Sequence, residues 1–281
     1  MKTYLDCLPC MLNQALRTAR IVTNDEVKIK KVLDEVGTII KDIPMHHTPV
    51  QSGALVYQKI RDITGVADPY KDIKKNSIKE AQALYPTLIK LINKSDNKLH
   101  TAIRIAIAGN IIDFGMNEQF NLEEELKKIM KQDFAIFDFE AFINELEQAN
   151  SVLYIGDNAG ESVLDKILIK TLGKPVTYVV RGIPIINDVT IEDAIESGIS
   201  EIAEIISSGS PAPGTILELC DKYFVHRFNE ADMVISKGQG NYEGLSNVSR
   251  SVFFLLKAKC KIIANDLGVN ENDIILKGIN Q

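Results

Sequence analysis

Short, mostly apolar runs alternate with longer amphipathic stretches through the second half of this 281-residue sequence. The runs at 151–155 and 176–180 read SVLYI and VTYVV, and a helical stretch separates them. Runs of this kind are typical of strands buried on both faces of a sheet. Because a crossover helix between two strands makes them parallel, the pattern predicts an α/β fold with a mostly parallel sheet. Further strands are predicted at Glu201–Ile206, Met233–Ile235 and Cys260–Ala264.

The first 150 residues show the three- and four-residue apolar spacing of helices instead. We therefore expect a helical N-terminal subdomain over residues 1–150 and a sheet domain over residues 151–281. Neither a low-complexity linker nor an internal repeat separates them, so the two parts are expected to share an interface. Capping side chains precede helical segments at Thr23 or Asn24, at Ser52, at Asn121 and at Asp138.

Charge and composition narrow the functional class. The net charge of −6 and the pI near 5.4 argue against a nucleic-acid partner, because such binding needs a basic face. No apolar run approaches the ~20 residues that span a bilayer, and the N-terminus lacks the pattern of a signal peptide. Four cysteines in this length do not form a disulfide framework. A cytoplasmic globular protein without a membrane partner is expected.

Three polar segments follow predicted strands. They occupy 157–161 after the first strand, 181–188 after the second, and 236–243 after the strand at Met233–Ile235. In open α/β sheets, ligands bind beyond the carboxyl ends of the strands. The three segments are therefore expected to converge on one edge of the sheet and to form a site there.

Two of these segments supply hard oxygen ligands. Asp157, Asn158 and Asp188 are the kind of residues that bind Mg²⁺ or Mn²⁺, with other positions left for water or phosphate oxygens. The alternative interpretation is structural. An Asp-Asn pair after a strand often caps a turn, and Asp188 could begin the turn before a helix capped by Thr190.

The third segment, 236–243, supplies a cation and flexible backbone. Lys237 offers a positive charge to a phosphate, and Gly238 and Gly240 allow backbone N–H groups to approach it. Glu161 opens a helix whose N-terminus also favours an anion. The segment is not a Walker loop, since its order is reversed and the strand–GxxxxGK[ST]–helix context is absent.

The N-terminal half adds two weaker features. Asn110 and Asp113 lie three residues apart, so on a helix they share a face. These two residues either line a pocket or only end the helix. Cys7 and Cys10 have metal or redox spacing, but no second pair with matching spacing follows.

Together these segments resemble the damage-control phosphatase family, the metal-dependent phosphatases with the protein-glutamate methyltransferase-like fold. The resemblance rests on GDNAGE at 156–161, on 181–188 and on KGQGNYE at 237–243. The early CxxC and the segment 108–114 are similar to its stand-alone microbial branch. The resemblance implies a Rossmann-like α/β/α sandwich with a helical N-terminal subdomain.

The same resemblance implies a divalent metal held by Asp157, Asn158 and Asp188, with Mg²⁺ or Mn²⁺ first and Co²⁺ or Ni²⁺ as alternatives. It implies hydrolysis of small phosphorylated metabolites such as sugar phosphates, nucleotides or damaged metabolites. Asp157, Asp188 and Lys237 are the expected catalytic residues. The expected substrate-binding residues are Asn110, Asp113, Glu161, Arg181, Gly238, Gly240 and Asn241.

Two other functions stay open at this point. The pocket could hold a phosphorylated ligand or nucleotide without turnover, and a carboxyl methyltransferase activity belongs to one branch of the family. The sequence contains no recognisable adenosylmethionine loop, which disfavours the methyltransferase. The nucleophile is either a water molecule or one of the two aspartates. Sequence indicates neither the preferred metal nor the oligomeric state.

Overall fold

Seven strands form one sheet in the order β1-β7-β6-β5-β2-β3-β4 within the computed structural model, which describes residues 1–111, 127–128 and 130–281. All neighbouring strands are parallel except β6 and β7, which are antiparallel. The strands are β1 Phe134–Phe137, β2 Val152–Ile155, β3 Val176–Val180, β4 Glu204–Ser207, β5 Met233–Lys237, β6 Val252–Lys257 and β7 Ile274–Ile279.

Helices cover both faces of this sheet and extend in front of it. The helices are α1 Cys7–Val22, α2 Glu26–Lys41, α3 Pro49–Thr64, α4 Lys71–Asn93, α5 Lys98–Ile111, α6 Phe139–Gln148, α7 Glu161–Leu172, α8 Ile191–Glu196, α9 Lys222–Glu230, α10 Gln239–Leu245 and α11 Lys261–Leu267.

Alternate residues of each central strand supply two separate cores. Val152 and Tyr154 of β2 pack with α4, α5 and α7 on one face. Leu153 and Ile155 pack with α9, α10 and α11 on the other. This alternation follows from the two-residue period of a strand. Because both faces of the sheet are buried, successive residues of β2 must all be apolar. The expectation of an α/β fold with a mostly parallel sheet is confirmed, and the name Rossmann-like stays a prediction.

Helices α1, α2 and α3 form a third core of their own, which also receives Ile185 from the loop after β3. Helix α3 begins with a capping box, in which Thr48 and Gln51 bond each other's backbone N–H groups, followed by a proline at its first position. The start predicted at Ser52 was therefore wrong, and Ser52 is buried inside the helix. The cap of α2 is Asp25 rather than Thr23 or Asn24.

Other predicted caps and strands have mixed outcomes. Helices α6 and α8 begin after Asp138 and Thr190 as expected, whereas Asn121 lies outside the described residues. The strand predicted at Cys260–Ala264 was wrong, because Cys260 is the N-cap of helix α11, which ends at Gly268 in the left-handed conformation. Short apolar runs do not by themselves separate strands from buried helices.

Three strands were not expected from the sequence: β1, β6 and β7. Strand β1 lies inside the stretch 1–150 and pairs with β7, and Phe142 of the following helix α6 belongs to the same core as the sheet. The division at residue 150 stays a prediction. The sheet and its packing nevertheless extend to residues on the N-terminal side of that boundary.

Candidate active site

A cleft of about 540 Å³ opens at the carboxyl edge of the sheet, between the loops after β2, β3, β5 and β6 and the start of α1. As expected, segments that follow separate strands converge here. The residues that line it include Cys7, Cys10, Gln14, Val50, Asp157, Asn158, Ile186, Asp188, Pro213, Gly240, Glu243, Lys259, Cys260 and Lys261.

Backbone hydrogen bonds join the loops after β2 and β3. The N–H of Val189 donates to the carbonyl of Asp157 at 2.8 Å, and the N–H of Ala159 donates to the carbonyl of Asn187 at 2.9 Å. Asn158 and Asp188 form an isolated β-bridge. The three predicted metal ligands are thus fixed side by side by main-chain contacts, before any side chain is considered.

The side chain of Asn158 has a defined orientation. Its Nδ2 donates to Oδ2 of Asp157 at 3.0 Å and to Oε2 of Glu161 at 3.2 Å. Because carboxylate oxygens accept and do not donate, the amide nitrogen must face them. The amide oxygen then lies on the opposite side of the group and is available as a ligand.

Asp188 is held from behind by Arg181, whose Nε donates to Oδ2 of the carboxylate at 2.6 Å. The Nη2 atom of Arg181 lies 3.6 Å from Oδ1 of Asp157 and has no hydrogen-bond partner among the described residues. Burial, with a further contribution from the charge of Asp157, raises the pKa of Asp188 to about 7 although Arg181 opposes the shift. Arg181 itself is buried behind the carboxylates, and it does not line the cleft.

The donor set fits a divalent cation. Asp157, Asn158 and Asp188 line the same cleft and supply two carboxylates and one amide, and Arg181 lies beside both carboxylates. Within the ranges the structure describes, no group of three His, Cys, Asp or Glu side chains has the spacing of a metal site. A metal site at this cleft would therefore need a neutral oxygen ligand, and Asn158 stays the predicted one.

Lys237 lies beneath the cleft, with its side chain fully buried. Its ammonium donates to the carbonyl of Ala106 at 2.9 Å, to Oδ1 of Asp165 at 2.8 Å and to Oε1 of Glu161. Neither Lys237 nor Glu161 lines the cleft. Their predicted contacts with a phosphate and a substrate stay predictions, and the structure places both side chains one layer below the cleft surface.

The remaining residues of the segment 237–243 shape the backbone. Asn241 is fully buried, and its Nδ2 donates to the carbonyls of Gly156 and Lys237 at 3.0 and 2.7 Å. Gly238 has a φ of 79°, which glycine adopts without strain. A Cβ atom at Gly240 would lie 2.1 Å from the carbonyl oxygen of Pro213, so only glycine fits this wall of the cleft.

The N-terminal candidates have different outcomes. Asn110 falls in helix α5, but its side chain and the whole of Asp113 lie outside the described residues. Cys7 and Cys10, one turn apart at the start of α1, line the cleft. Burial raises the pKa of both thiols.

Sequence reasoning did not assign Glu243 and Cys260 to the site. Glu243 lies one turn after Gln239 on α10, and Nε2 of Gln239 donates to both Glu243 and Cys260, at 2.9 and 3.7 Å. Burial, with a smaller effect of Asp157, raises the pKa of Glu243 to about 7. The sequence signal for Glu243 was its position four residues after Gln239 in the KGQGNYE segment, because residues four apart on a helix share a face.

The loop that carries Asp188 is strained at Ile186, which lines the cleft with a φ of 45°. A β-branched residue in the left-handed region is a genuine outlier, and such strain is found mainly at functional sites.

In the described part of the chain, no helix is long and apolar enough to span a bilayer.

The chain belongs to the family defined by the damage-control phosphatase ARMT1-like domain, which matches residues 3–275. This confirms the resemblance inferred from the sequence, and membership supports a phosphatase enzyme that acts on damaged metabolites.

Two relatives with similar sequences are named damage-control phosphatases. A damage-control phosphatase of Pyrococcus horikoshii is 34% identical over 98% of this chain and 97% of its own length. A damage-control phosphatase of Archaeoglobus fulgidus is 34% identical over 99% of both chains. The crystal structure of a DUF89 family protein from Pyrococcus horikoshii is similar with a TM-score of 0.91, at 32% identity and 98% coverage of both chains.

Proposed function

We propose that this chain is a divalent-metal-dependent phosphoric monoester hydrolase of small phosphorylated metabolites. The observation that carries the proposal is the convergence of Asp157, Asn158 and Asp188 at one cleft, where both carboxylates are buried. The relatives from Pyrococcus horikoshii and Archaeoglobus fulgidus are named damage-control phosphatases, which supports the same reaction class.

The size of the cleft supports a small substrate. Its volume of about 540 Å³ falls within the roughly 300–1,000 Å³ typical of small-molecule sites. Apolar side chains such as Val50 and Pro213 form part of its wall, while Lys259 and Lys261 provide positive charge on it. Sugar phosphates, nucleotides and damaged phospho-metabolites have this combination of an anionic group and a compact organic part.

Asp157, Asn158 and Asp188 would hold the cation, with Mg²⁺ or Mn²⁺ favoured by their hard oxygen donors. The bound cation would polarise the phosphate oxygens and offset the charge that develops on them. Arg181 fixes the position of Asp188 through the 2.6 Å hydrogen bond from its Nε atom. The protein groups are thus oriented before substrate binds, which limits the reorganisation required during reaction.

The attacking group is either a water molecule or one of the two aspartates. If an aspartate attacks, its oxygen forms a bond to phosphorus, the ester oxygen leaves with a proton, and water then hydrolyses the aspartyl phosphate. A phosphate mimic should then modify one aspartate, which mass spectrometry would detect. Failure to modify either residue under turnover conditions would favour direct attack by water.

The first experiment measures phosphate release from a panel of esters after the protein has been stripped of metal and supplied with Mg²⁺, Mn²⁺, Co²⁺ or Ni²⁺. We expect metal-dependent release that falls at least about 100-fold in Asp157→Ala and Asp188→Ala, because each removes an anionic ligand. Asp34→Ala serves as the control, since Asp34 is an exposed aspartate on α2.

Release that survives both cleft substitutions would refute this site. Binding of phosphorylated ligands without turnover under any metal would favour the non-catalytic binding protein. Detectable binding of adenosylmethionine would favour the methyltransferase.

A further inference from the structure

Beneath the cleft lies a fully buried group of charges made of Lys237, Glu161 and Asp165. Lys237 donates to both carboxylates and to the carbonyl of Ala106 on α5. An ammonium has three protons, and this arrangement gives each of them an acceptor. Lys237 could contact a phosphate only by giving up one of these buried hydrogen bonds.

Glu161 connects this group to the cleft. One of its carboxylate oxygens, Oε1, accepts from Lys237. The other, Oε2, accepts from Nδ2 of Asn158 at 3.2 Å and from the backbone N–H of Asn158 at 3.4 Å. Both oxygens of one buried carboxylate are thus used, one on the ammonium below and one on the candidate metal ligand above.

We propose that Glu161, anchored by Lys237, is a positioning residue that fixes the amide of Asn158 with its oxygen toward the cation. The inference rests on the proposed function, because it assigns these residues a role in the metal site of that hydrolase. It replaces a direct contact between Lys237 and phosphate by an indirect effect through Glu161 and Asn158.

The physical reason lies in the symmetry of an amide. The oxygen and the nitrogen of Asn158 are nearly equal in size, so rotation of the group by half a turn would present N–H donors to the cation. Two carboxylates, Asp157 and Glu161, accept from the nitrogen and stabilise one orientation. Partners of this kind, which orient a metal ligand, typically change metal affinity about 10–100-fold when they are replaced.

Packing keeps Glu161 in place. Helix α5 approaches α7 so closely that a Cβ atom at Gly109 would lie 2.9 Å from Cγ of Glu161 and 3.3 Å from its Cα. Because the contact involves backbone as well as side chain, a larger residue at 109 would displace the start of α7. The position of Glu161 therefore depends on the fit of α5 as well as on Lys237.

Two isosteric variants separate the roles. Glu161→Gln and Asp165→Asn each neutralise one carboxylate partner of Lys237, but only Glu161 contacts Asn158. The measurement is isothermal titration of metal-stripped protein with Mn²⁺, combined with KM and kcat for a phosphate ester at saturating Mn²⁺. Glu161→Gln is expected to weaken Mn²⁺ binding at least about 10-fold, and Asp165→Asn by less than about 3-fold. KM at saturating metal should stay unchanged in both.

Circular dichroism checks the fold of each variant, and Glu161→Asp is the second variant if Glu161→Gln does not fold. Its shorter side chain keeps the charge but not the reach to both partners, so we expect weaker Mn²⁺ binding again.

Unchanged Mn²⁺ affinity in folded Glu161 variants would overturn the inference. A rise in KM in both Glu161→Gln and Asp165→Asn, without a change in Mn²⁺ affinity, would overturn it in favour of Lys237 contacting phosphate. The proposed hydrolase fails separately, when the wild-type protein binds Mn²⁺ but releases phosphate from no ester.

Discussion

Two neighbouring groups of buried charges have the same composition, one cation and two carboxylates. In the upper group, Arg181 forms ion pairs with Asp157 and Asp188 at the cleft. In the lower group, Lys237 forms ion pairs with Glu161 and Asp165 inside the protein. The lower group is completed by neutral donors, since the hydroxyls of Tyr154 and Tyr178 donate to Asp165 at 2.6 and 2.9 Å.

The upper group differs because its carboxylates line the cleft. Asn158 supplies an amide donor to Asp157, but Nη2 of Arg181 has no hydrogen-bond partner in the described part of the chain, and the cleft lies on the other side. Charge count alone therefore does not distinguish a structural ion pair from a functional site. Access to the cleft distinguishes the two groups here.

The largest effect is expected from Lys237→Met. Removing the cation leaves Glu161 and Asp165 buried without a counter-charge, which typically costs about 3–5 kcal/mol of unfolding free energy. Because this ammonium is fully buried and does not line the cleft, saturating Mg²⁺ should not restore the loss. Urea unfolding with and without Mg²⁺ measures this. Lys30→Met on the exposed face of α2 is the control, and a loss below about 1 kcal/mol in Lys237→Met would refute the comparison.

A smaller effect is expected from Tyr178→Phe. It removes one neutral donor from Asp165 while the aromatic ring stays in place, which should cost about 1–3 kcal/mol. Mn²⁺ affinity should hardly change, since the hydroxyl of Tyr178 donates to Asp165, whose own substitution is expected to change that affinity by less than about 3-fold. Tyr223→Phe, at a half-exposed tyrosine, is the matched control. A Tyr178→Phe variant that loses Mn²⁺ affinity would show that the hydrogen bonds to Asp165 also affect the metal site.

The smallest effect concerns pH and the metal-free protein. The pKa of Asp188 is raised to about 7 in the folded state by burial and by Asp157. The folded protein therefore holds a proton that the unfolded chain releases near pH 4, so this group makes stability fall as pH rises from about 4 to about 7. Asp157→Asn removes the neighbouring charge, and should reduce this fall by on the order of 1 kcal/mol.

Urea midpoints at pH 5 and pH 8 in the absence of metal test this expectation. Asp165, whose pKa burial raises to about 6, contributes in the same direction to both proteins, so the difference between them isolates the cleft. An identical pH dependence in wild type and Asp157→Asn would contradict it.

Sequence alone predicted a site at the carboxyl edge of the sheet. It also predicted that Asp157, Asn158 and Asp188 converge there, because each follows a strand of the same parallel sheet. It did not suffice for Lys237. Met233, Ile235 and Lys237 occupy alternate positions of β5, so they point to the same face, toward α5 and α7. The direction of Lys237 was therefore available from strand parity, but the identity of its partners required the packing of α5.

Other parts depended on contacts between distant segments. The placement of Cys7 and Cys10 at the cleft follows from how α1 packs on α2 and α3 in front of the sheet. Strand β1 was missed because it lies within the stretch whose apolar spacing predicts helices, and its partner β7 is distant in sequence. The pairing depends on a contact that local spacing does not encode.

The pairing of β1 has a consequence for how the chain is made. Its only neighbour in the described sheet is β7, a strand far later in the sequence, so β1 leaves the ribosome long before that neighbour exists. Until β7 has been synthesised, the backbone groups of β1 are unpaired, and Phe134 and Phe137, which stack on each other in the folded protein, are exposed with them. Translation speed and chaperone supply should therefore affect the yield of this protein more than its final stability would indicate.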